Sequence, residues 1–555
     1  MKIPIRLISA FSILSIVSAN AQDNNFDALA KLFSQTAPTG SARFQALGGT
    51  HAALGADISS AIGNPAGLGF YTRSEFNFTP AYQSTSNTSN YINVNTKANE
   101  TNFNIANIGV VFGGSQPQYK EGWRGSWSIN YSRQNTFYNN IQFAGRNNVS
   151  SIADAFANQV NREVSDYNLG SSDFVNALSQ APNFDLTRHL YNWSFLIGPV
   201  TDPQGNTSYQ VTERSLQSNQ KYSFESTGRS SQWTIAYGGT PNEKTYIGFS
   251  LGIPSFRYET RSQYNEQYID NTAFNGMTQS KFYSTSGSGI NLTFGAIVKP
   301  NEMIRFGASI TTPTWYDIDE TLSSSLQANV NSANAGQPNV GIELPNGTDN
   351  ATVSTVNRLK QLGYGILEKN GSRYLTGVPT LNTTPFSDNY QLRTPLKLNI
   401  GAAIFFAKKG FISADVEYLA YGGTKMSTTA NDQYLADDLN YYTQKVQGDL
   451  KNVFNVKVGG EYRVGLLSLR AGVNYQPNPY SFNYDQGSNA VNRSTLIYSS
   501  GIGIRTGDFY VDLTGLYAKT QQAYSPYVLN NTADYSSAII SNSYVKGVVS
   551  FGIFF

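Results

Sequence analysis

The chain has 555 residues, a formal net charge of +2 and no cysteine. Charged residues make up 14% of the sequence and aromatic residues 13%, with 36 tyrosines and 32 phenylalanines. Soluble domains carry roughly 25% charged residues, so this composition argues against a string of soluble domains. The near-neutral charge argues against nucleic acid as a partner, and the lack of cysteine excludes stabilisation by disulfides.

The first 21 residues predict a secretory signal peptide that is cleaved on export. Lys2 and Arg6 give a basic start, residues 7–18 form an apolar run, and residues 19–21 (Ala-Asn-Ala) form a cleavage site. The apolar run is shorter than the roughly 20 residues that a membrane-spanning helix needs, and no later window offers such a length. A chain that is polar on average (mean hydropathy −0.34), poor in charge and rich in aromatics favours an outer-membrane β-barrel.

Residues 22–69 predict a plug, or hatch, inside the lumen of that barrel. Phe26, Leu29, Ala30 and Phe33 have helical spacing. Small residues dominate the rest of the segment and allow close backbone packing in a narrow lumen. The segment ends in a turn-forming sequence made of Asn64, Pro65, Ala66, Gly67 and Leu68.

Residues 70–555 predict a transmembrane antiparallel β-barrel, because apolar residues alternate with small or polar ones in about fourteen segments. Short polar turns and long polar stretches connect these segments alternately, as periplasmic turns and outer loops do. The long stretches, predicted as outer loops, lie near 257–286, 313–393, 421–452, 477–493 and 519–543. Ile297 and Phe405 are apolar exceptions on the otherwise polar faces. The predicted strands lie near 70–81, 102–113, 125–144, 230–239, 245–256, 287–298, 303–312, 394–406, 411–420, 453–463, 466–476, 494–505, 508–518 and 544–555.

The last predicted strand places Val545, Val549, Phe551, Ile553 and Phe555 on one face. A terminal phenylalanine on such a strand resembles the signal that the barrel-insertion machinery reads, so we expect that machinery as a partner in biogenesis and outer-membrane lipid as the surroundings. Two long insertions, near 145–229 and 313–393, fall on the outer side. They are predicted either to cap the barrel mouth or to form mobile loops.

Several motifs resemble the FadL/TodX family of outer-membrane transporters for hydrophobic compounds. They are Gly40-Ser41-Ala42-Arg43, the step Gly48-Gly49 with Ala52-Ala53, and the sequence Asn64 to Leu68 before the first strand. Residues 304–309 with 312–316, and residues 393–397 with 401–403, resemble later parts of the family. The resemblance implies a fourteen-stranded barrel with an N-terminal hatch that passes fatty acids or other apolar molecules, and Asn64, Pro65 and Ala66 match the family's hatch motif.

An aromatic-lined pocket would take up an apolar solute that the sugar layer outside the membrane excludes, and Leu32 and Phe33 are candidates for lining it. The same residues could instead only pack the plug. Two other functions stay open: a secretion accessory that resembles the shuttle protein of the type IX system, and a passive porin. The plug argues against the porin.

No catalytic or metal site is expected. His51 is predicted to pack in the plug and His189 to lie in an outer loop, and neither has a recognisable nucleophile nearby. Without cysteine a zinc site would need unusual numbers of carboxylates. Asp432, Asp437 and Asp438 could bind calcium but more often form a solvated surface, so neither a cofactor nor a metal is predicted.

Charged residues on the predicted strands should face the lumen, because an Arg or Lys facing lipid costs roughly 2–4 kcal/mol near the midplane. We expect them to form paired networks that support the plug. These residues are Asp415, Glu417, Lys457, Glu461, Arg463 and Arg470.

Overall fold

The computed structural model describes residues 26–34, 37–114, 122–166, 187–212, 217–270, 272–336, 341–344, 346, 348, 350–406, 409–481 and 491–555. The predicted signal peptide lies outside these residues. Among the described residues, no helix combines the length and the apolar character that crossing a membrane requires.

Two helices and two short 3₁₀ helices precede the first strand. Helix α1 spans Phe26–Ser34 and α2 spans Ala42–Ala46, and the 3₁₀ helices span Ile58–Ala61 and Pro65–Phe70. The helical spacing in residues 26–33 therefore predicts α1 correctly. The segment from residue 38 to 69 is almost wholly buried although it lacks a large apolar face. It is buried because the barrel wall encloses it.

The described part of the wall is a closed antiparallel barrel of fourteen strands, as predicted. Three strands are interrupted and consist of two segments each: β3 with β4, β10 with β11, and β16 with β17. A fourth, β18, continues into the short β19. The first strand pairs with the last, from Glu75 opposite Phe554 to Asn90 opposite Ile539, which closes the cylinder. Closure leaves no free sheet edge in the lipid, where unpaired backbone groups are costly.

The strands have the following bounds: β1 Glu75–Tyr91, β2 Val94–Phe112, β3 Arg124–Thr136, β4 Asn139–Asn147, β5 Ile197–Thr201, β6 Thr207–Val211, β7 Ser218–Thr240, β8 Thr245–Tyr268, β9 Phe274–Val298, β10 Ile304–Thr311, β11 Trp315–Val330, β12 Glu343–Leu344, β13 Gly365–Lys369, β14 Ser372–Gly377, β15 Leu381–Asn382, β16 Phe386–Arg393, β17 Leu396–Phe406, β18 Gly410–Ala420, β19 Lys425–Ser427, β20 Val453–Val464, β21 Leu467–Gln476, β22 Thr495–Arg505, β23 Phe509–Tyr524 and β24 Ala538–Phe554.

A belt of exposed apolar side chains surrounds the wall, which confirms the predicted alternation. Large apolar residues such as Phe103, Trp233, Phe294 and Phe551 point outward and are about half exposed, whereas their neighbours along each strand are buried. Such a belt suits contact with hydrocarbon and not with water. Of the predicted exceptions, Ile297 points inward and packs against hatch and wall residues in a small buried cluster.

Several strands extend far beyond this belt, which differs from the predicted long loops. The stretch predicted as a loop near 257–286 consists of the upper halves of β8 and β9, which are 24 and 25 residues long. The prediction was wrong because the outward face is mostly polar there and the alternation weakens, while the backbone ladder continues. Similarly, β11 and β16 in the insertion near 313–393 are parts of the wall.

The insertions form a packed cap at the end of the barrel opposite the paired residues Glu75 and Phe554. Helices α3 (Ile152–Asp166), α4 (Thr187–Trp193) and α5 (Asn350–Gln361) lie there, together with the hairpin of β5 and β6 and the small sheet of β12 to β14. Their apolar side chains share one cluster with inward-facing residues of the wall, including Tyr222, Tyr264 and Leu326. The described parts of the insertions therefore cover the mouth, and α6 (Gln433–Asp449) lies between β19 and β20.

Candidate functional site

The hatch motif docks onto the wall through an asparagine. The Asn64 side chain caps the 3₁₀ helix of residues 65–70 by accepting from the Ala66 amide, and its Nδ2 donates to the carbonyl of Ala52 at 2.6 Å. The same Nδ2 lies 3.2 Å from the carbonyl of Ala296 and 3.3 Å from that of Ala308. One side chain thus fixes the hatch to two neighbouring strands, β9 and β10.

Glycines in the wall make room for this contact. Gly238, Gly248 and Gly295 lie side by side on β7, β8 and β9. A Cβ on Gly295 would lie 1.9 Å from Asn64 Oδ1, and a Cβ on Gly248 would lie 2.4 Å from the Pro65 carbonyl carbon. The three glycines form a shallow groove, here called the glycine rung, that receives the hatch motif.

Charged groups fix the opposite side of the hatch. Arg43 Nε of α2 donates to Glu461 at 3.0 Å, and Arg470 bridges Glu461 at 2.7 Å to Asp512 at 2.5 Å. Asp415 accepts from the backbone amides of His51 and Ala52, at 2.6 and 2.8 Å. The predicted role of the lumenal charges in supporting the plug is confirmed for these groups.

Helix α1 lies on the outer side of the hatch and packs between the wall and α6. Phe33 stacks on Phe256 with a centroid distance of 4.0 Å and meets Phe137 edge-on at 6.1 Å. Leu29 and Phe33 share one apolar cluster with Leu439, Tyr442 and Val446 of α6. Phe33, one of the two predicted ligand contacts, is therefore largely engaged in packing. Its surroundings differ from those of Leu32, the other predicted contact.

A cavity of about 350 Å³, here called the side cavity, lies next to α1. Its lining is mixed: Leu29, Leu32, Phe137 and Tyr258 are apolar or aromatic, and several amides and hydroxyls complete it. Lys31 and Arg493 also line it, and both are placed over the ring of Tyr480, at 4.8 and 5.2 Å from its centroid. Its volume lies in the range of small-molecule sites.

The wall beside this cavity is incompletely hydrogen-bonded. Strand β2 pairs with β3 only from Asn107 to Phe112, although β2 begins at Val94. Beyond that point β2 pairs with β1 alone, and β3 and β4 pair with β7 alone. We call the unpaired boundary between residues 94–106 and residues 133–147 the seam.

The seam arises where β3 breaks at Phe137 and Tyr138 and continues as β4. The side chain of Asn87, which points into the lumen from β1, donates to Asn139 Oδ1 at 2.7 Å and to the Asn140 carbonyl at 2.6 Å. Strand β4 therefore leans inward and packs against the inner side of the β1–β2 hairpin without joining its ladder. Residues 135–139 line the side cavity, so the cavity lies directly behind the seam.

Two other wall strands are interrupted beside each other, but hydrogen bonds still join the two strands at the interruption. Pro313 separates β10 from β11, and Pro395 separates β16 from β17. The Thr394 amide donates to the Thr314 carbonyl at 3.0 Å, and the Thr314 amide donates to Thr394 Oγ1 at 2.9 Å. These bonds replace the missing ladder, so the seam differs in kind from the proline breaks.

The remaining candidates take structural positions. His51 is buried in the hatch, as predicted, and its Nδ1 lies 2.9 Å from the carbonyl oxygen of Gly49. His189, predicted to lie in an outer loop, is instead a buried residue of helix α4 in the cap. Asp432 caps α6, and Asp437 accepts from Gln433 at 2.9 Å. Among the described residues, no three histidine or acidic side chains come together as a metal site.

Asp438 on α6 has a raised pKa of about 6, because burial disfavours its charged form and Asp437 adds like-charge repulsion. Its position matters because α6 covers α1, which lines the side cavity.

The sequence predicts the N-terminal hatch, and Leu32, its candidate ligand contact, lines the side cavity; it does not predict the seam or most of the other lining residues. Phe137 and Tyr138 fall inside the single strand predicted over residues 125–144, and they carry no proline or glycine that would signal a break. The missing pairs are long-range contacts, which local patterns do not encode.

Comparisons with known proteins found similar solved structures only. No protein family and no curated protein matches the sequence. The toluene transporter TodX of P. putida is 12% identical, with 93% of this chain and 99% of that chain covered and a TM-score of 0.49. A Pseudomonas aeruginosa FadL homologue is 10% identical with the same coverage and TM-score.

The Ralstonia pickettii toluene transporter TbuX is also similar, at 12% identity, with 93% of this chain and 99% of that chain covered and a TM-score of 0.44. TodX and TbuX are described as toluene transporters, and the third structure, from Pseudomonas aeruginosa, is described as a FadL homologue. At such identities the likeness concerns the fold.

Proposed function

We propose that this chain carries small hydrophobic molecules, long-chain fatty acids or aromatic compounds, across an outer membrane and releases them sideways into the lipid. The observation that carries the proposal is the position of the side cavity directly behind the seam. The hatch obstructs the lumen beneath, so the seam offers a lateral alternative to a route along the barrel axis.

The lining of the side cavity fits such ligands. A molecule with on the order of 200 Å² of apolar surface gains about 5 kcal/mol when that surface leaves water, and Leu29, Leu32 and Phe137 offer the apolar contacts. Lys31 and Arg493 line the same cavity and can meet a carboxylate head group. A fatty acid therefore matches both ends of the cavity, and a neutral aromatic compound matches the apolar part.

The seam gives the ligand an exit at the depth of the apolar belt. It begins next to Asn107, and the exposed residues Phe103 and Ile105 flank it on β2. A ligand that leaves there meets hydrocarbon and avoids the periplasmic water. The exported, membrane-embedded form requires the cleaved signal peptide, which we propose from the sequence of residues 1–21.

Ligand binding tests this proposal directly. Isothermal titration of the purified protein with laurate and with toluene should show binding of at least one, and Leu32→Gln should weaken that binding about tenfold because it places an amide against the apolar part of the ligand. Leu367→Gln is the matched control, since Leu367 is exposed in the cap and far from the lining. Hydrogen exchange of α1 verifies that the variant helix stays folded.

The secretion-accessory alternative predicts a different outcome. Wild-type protein would bind neither probe, mass spectrometry would find no retained acyl or aromatic ligand, and components of a secretion complex would co-purify. That combination would overturn the transport proposal. The chain would then act as a protein-binding barrel, and the side cavity would be a packing defect without a ligand.

A further inference from the structure

A large groove lies on the outer surface of the wall, above the apolar belt and away from the side cavity. It has a volume of about 810 Å³ and crosses the outward faces of β4, β7, β8, β9, β11 and β15. Serines, amides and a threonine dominate its lining, with Phe282 and three charged residues, Glu225, Arg261 and Lys281. We call it the outer groove.

A row of polar side chains, one from each strand at the same height on the wall, crosses all six strands of the groove. Each member is the direct cross-strand partner of the next, and none carries a charge. Amides and hydroxyls both donate and accept hydrogen bonds, so such a row matches the alternating donors and acceptors of a sugar chain. The members, in order around the wall, are Gln142, Ser223, Gln263, Ser280, Ser325 and Asn382.

The next row of outward-facing side chains, two residues along each strand, supplies a flat apolar platform. Phe282 is the cross-strand partner of Arg261, and the Arg261 guanidinium lies 5.2 Å from the centre of its ring. Asn140 and Glu225 continue the level on β4 and β7. An aromatic ring beside hydrogen-bonding groups can pack against the C–H face of a sugar while the amides bind its hydroxyls.

The groove is continuous with the apolar belt. Along β9 the outward positions run from Ile290, which is exposed in the belt, to Ser280 in the groove. Ten residues of strand correspond to roughly 33 Å. A lipid whose acyl chains lie against the belt would therefore direct a long head group along the wall into the groove.

Two arginines lie between belt and groove. Arg229 and Arg257 are direct cross-strand partners. Arg257 is 71% exposed and pairs with Glu259 at 2.5 Å. Glu259 offsets only part of the charge of this arginine pair, and the remaining positive charge suits a phosphate. Their level lies four residues, roughly 13 Å along the strand, above Ile290 of the belt and thus between the belt and the groove.

We propose that the outer groove binds the oligosaccharide of a phosphorylated glycolipid of the outer leaflet, a lipopolysaccharide, with its phosphates near Arg229 and Arg257. The acyl chains lie on the belt, the phosphates meet the arginines, and the sugars lie on the neutral row and the Phe282 platform. This site is separate from the side cavity and assigns a fixed lipid partner to one side of the barrel.

Native mass spectrometry of the detergent-solubilised protein tests this site with two probes: a lipopolysaccharide that has a complete core, and lipid A without sugars beyond its disaccharide. Wild-type protein should prefer the lipopolysaccharide. The triple variant Gln142→Ala/Gln263→Ala/Asn382→Ala should lose about tenfold in affinity for it and keep its affinity for lipid A. The double variant Gln521→Ala/Ser541→Ala, a cross-strand pair of β23 and β24 outside the groove, is the matched control.

A second variant tests the phosphate part. Arg229→Gln/Arg257→Gln should weaken binding of both probes but leave binding of dephosphorylated lipid A unchanged. Equal affinity of the wild type for lipopolysaccharide and lipid A, or full lipopolysaccharide affinity in the triple variant, would overturn the proposal. Heat-modifiable migration on gels confirms that each variant barrel is folded, and retained laurate or toluene binding separates this result from failure of the transport proposal.

Discussion

At the scale of single residues, Glu461 is the point where hatch and wall charges meet. Its side chain is fully buried and accepts from Arg43 of the hatch, from Arg470 of β21 and from Arg463 at the wall's rim. A carboxylate in such a site compensates several cations, so its loss leaves them buried without an anion.

We therefore predict that Glu461→Gln destabilises the protein by about 3 kcal/mol, whereas Arg463→Gln costs less than about 1 kcal/mol. The difference arises because the Arg463 side chain is 48% exposed and can be solvated. Guanidinium unfolding of the lipid-reconstituted protein measures both. Equal midpoints for the two variants would show that the network contributes nothing to holding the hatch.

The sequence predicts part of this network and for a clear reason. The cost of a charge in lipid is enough to place Glu461 and Arg470 in the lumen from the strand pattern alone. Arg463 is only half enclosed, because it lies at the end of β20 next to the turn. Arg43 could not be assigned as the partner, since 418 residues separate it from Glu461.

At the scale of elements, the hatch depends on wall residues that lack side chains. We predict that Gly295→Ala loosens the hatch, because its Cβ would lie 1.9 Å from Asn64 Oδ1 and overpacking of this kind costs about 1–3 kcal/mol. Hydrogen exchange of residues 37–71 should accelerate, and ion conductance in planar bilayers should rise. Gly547→Ala is the control, since that Cβ meets open space. Unchanged exchange in Gly295→Ala would contradict the docking of Asn64 on the glycine rung.

Helix α6 should respond to pH. The folded pKa of Asp438 is raised to about 6, above its ordinary value of 3.8, so the folded state binds the proton more tightly and stability falls as pH rises from about 4 to 6. After correction for intrinsic rates, exchange of α6 amides should be slower at pH 5 than at pH 7.5. Asp438→Asn should reduce this difference. If exchange of the α6 amides in Asp438→Asn differs between pH 5 and pH 7.5 as much as in the wild type, another group causes the pH dependence.

The elements also show where sequence patterns stop being informative. Period-two alternation located all fourteen wall strands because each crosses the apolar belt. It missed the outer halves of β8 and β9, where neither face meets lipid. It also missed the break at Phe137, whereas Pro313 and Pro395, which do mark breaks, lie where side-chain and backbone bonds keep the wall joined.

At the scale of the whole molecule, the described barrel combines a closed cylinder with an unpaired boundary beside the side cavity, the seam. The cylinder follows from the composition, because a chain with polar and apolar faces must satisfy every backbone group in lipid by closing on itself. The seam does not follow from composition. It depends on β4 leaning inward to Asn87, a contact between residues 52 positions apart that no local pattern encodes.

The cap and the hatch close the two ends of the lumen. The cap packs its apolar residues against the upper wall, and the hatch is tied to the lower wall by Asn64, Asp415 and Glu461. A molecule that reaches the side cavity therefore meets less resistance toward the seam than toward either end. Sideways release is the behaviour that this arrangement favours.

Closing the seam with a disulfide is the most direct measurement of this claim. If the hydrogen-bond ladder of β2 and β3 continued beyond Asn107 and Ser132, it would pair residues 104 and 135. The double variant Asn104→Cys/Asn135→Cys therefore places two thiols across the seam. The chain has no other cysteine that could react. Val110→Cys/Ile129→Cys, in the part where β2 and β3 already pair, is the control. Oxidation should lower uptake of radiolabelled laurate or toluene by about tenfold or more in the seam variant alone, and reduction should restore it. Unchanged uptake through a fully cross-linked seam would contradict lateral release.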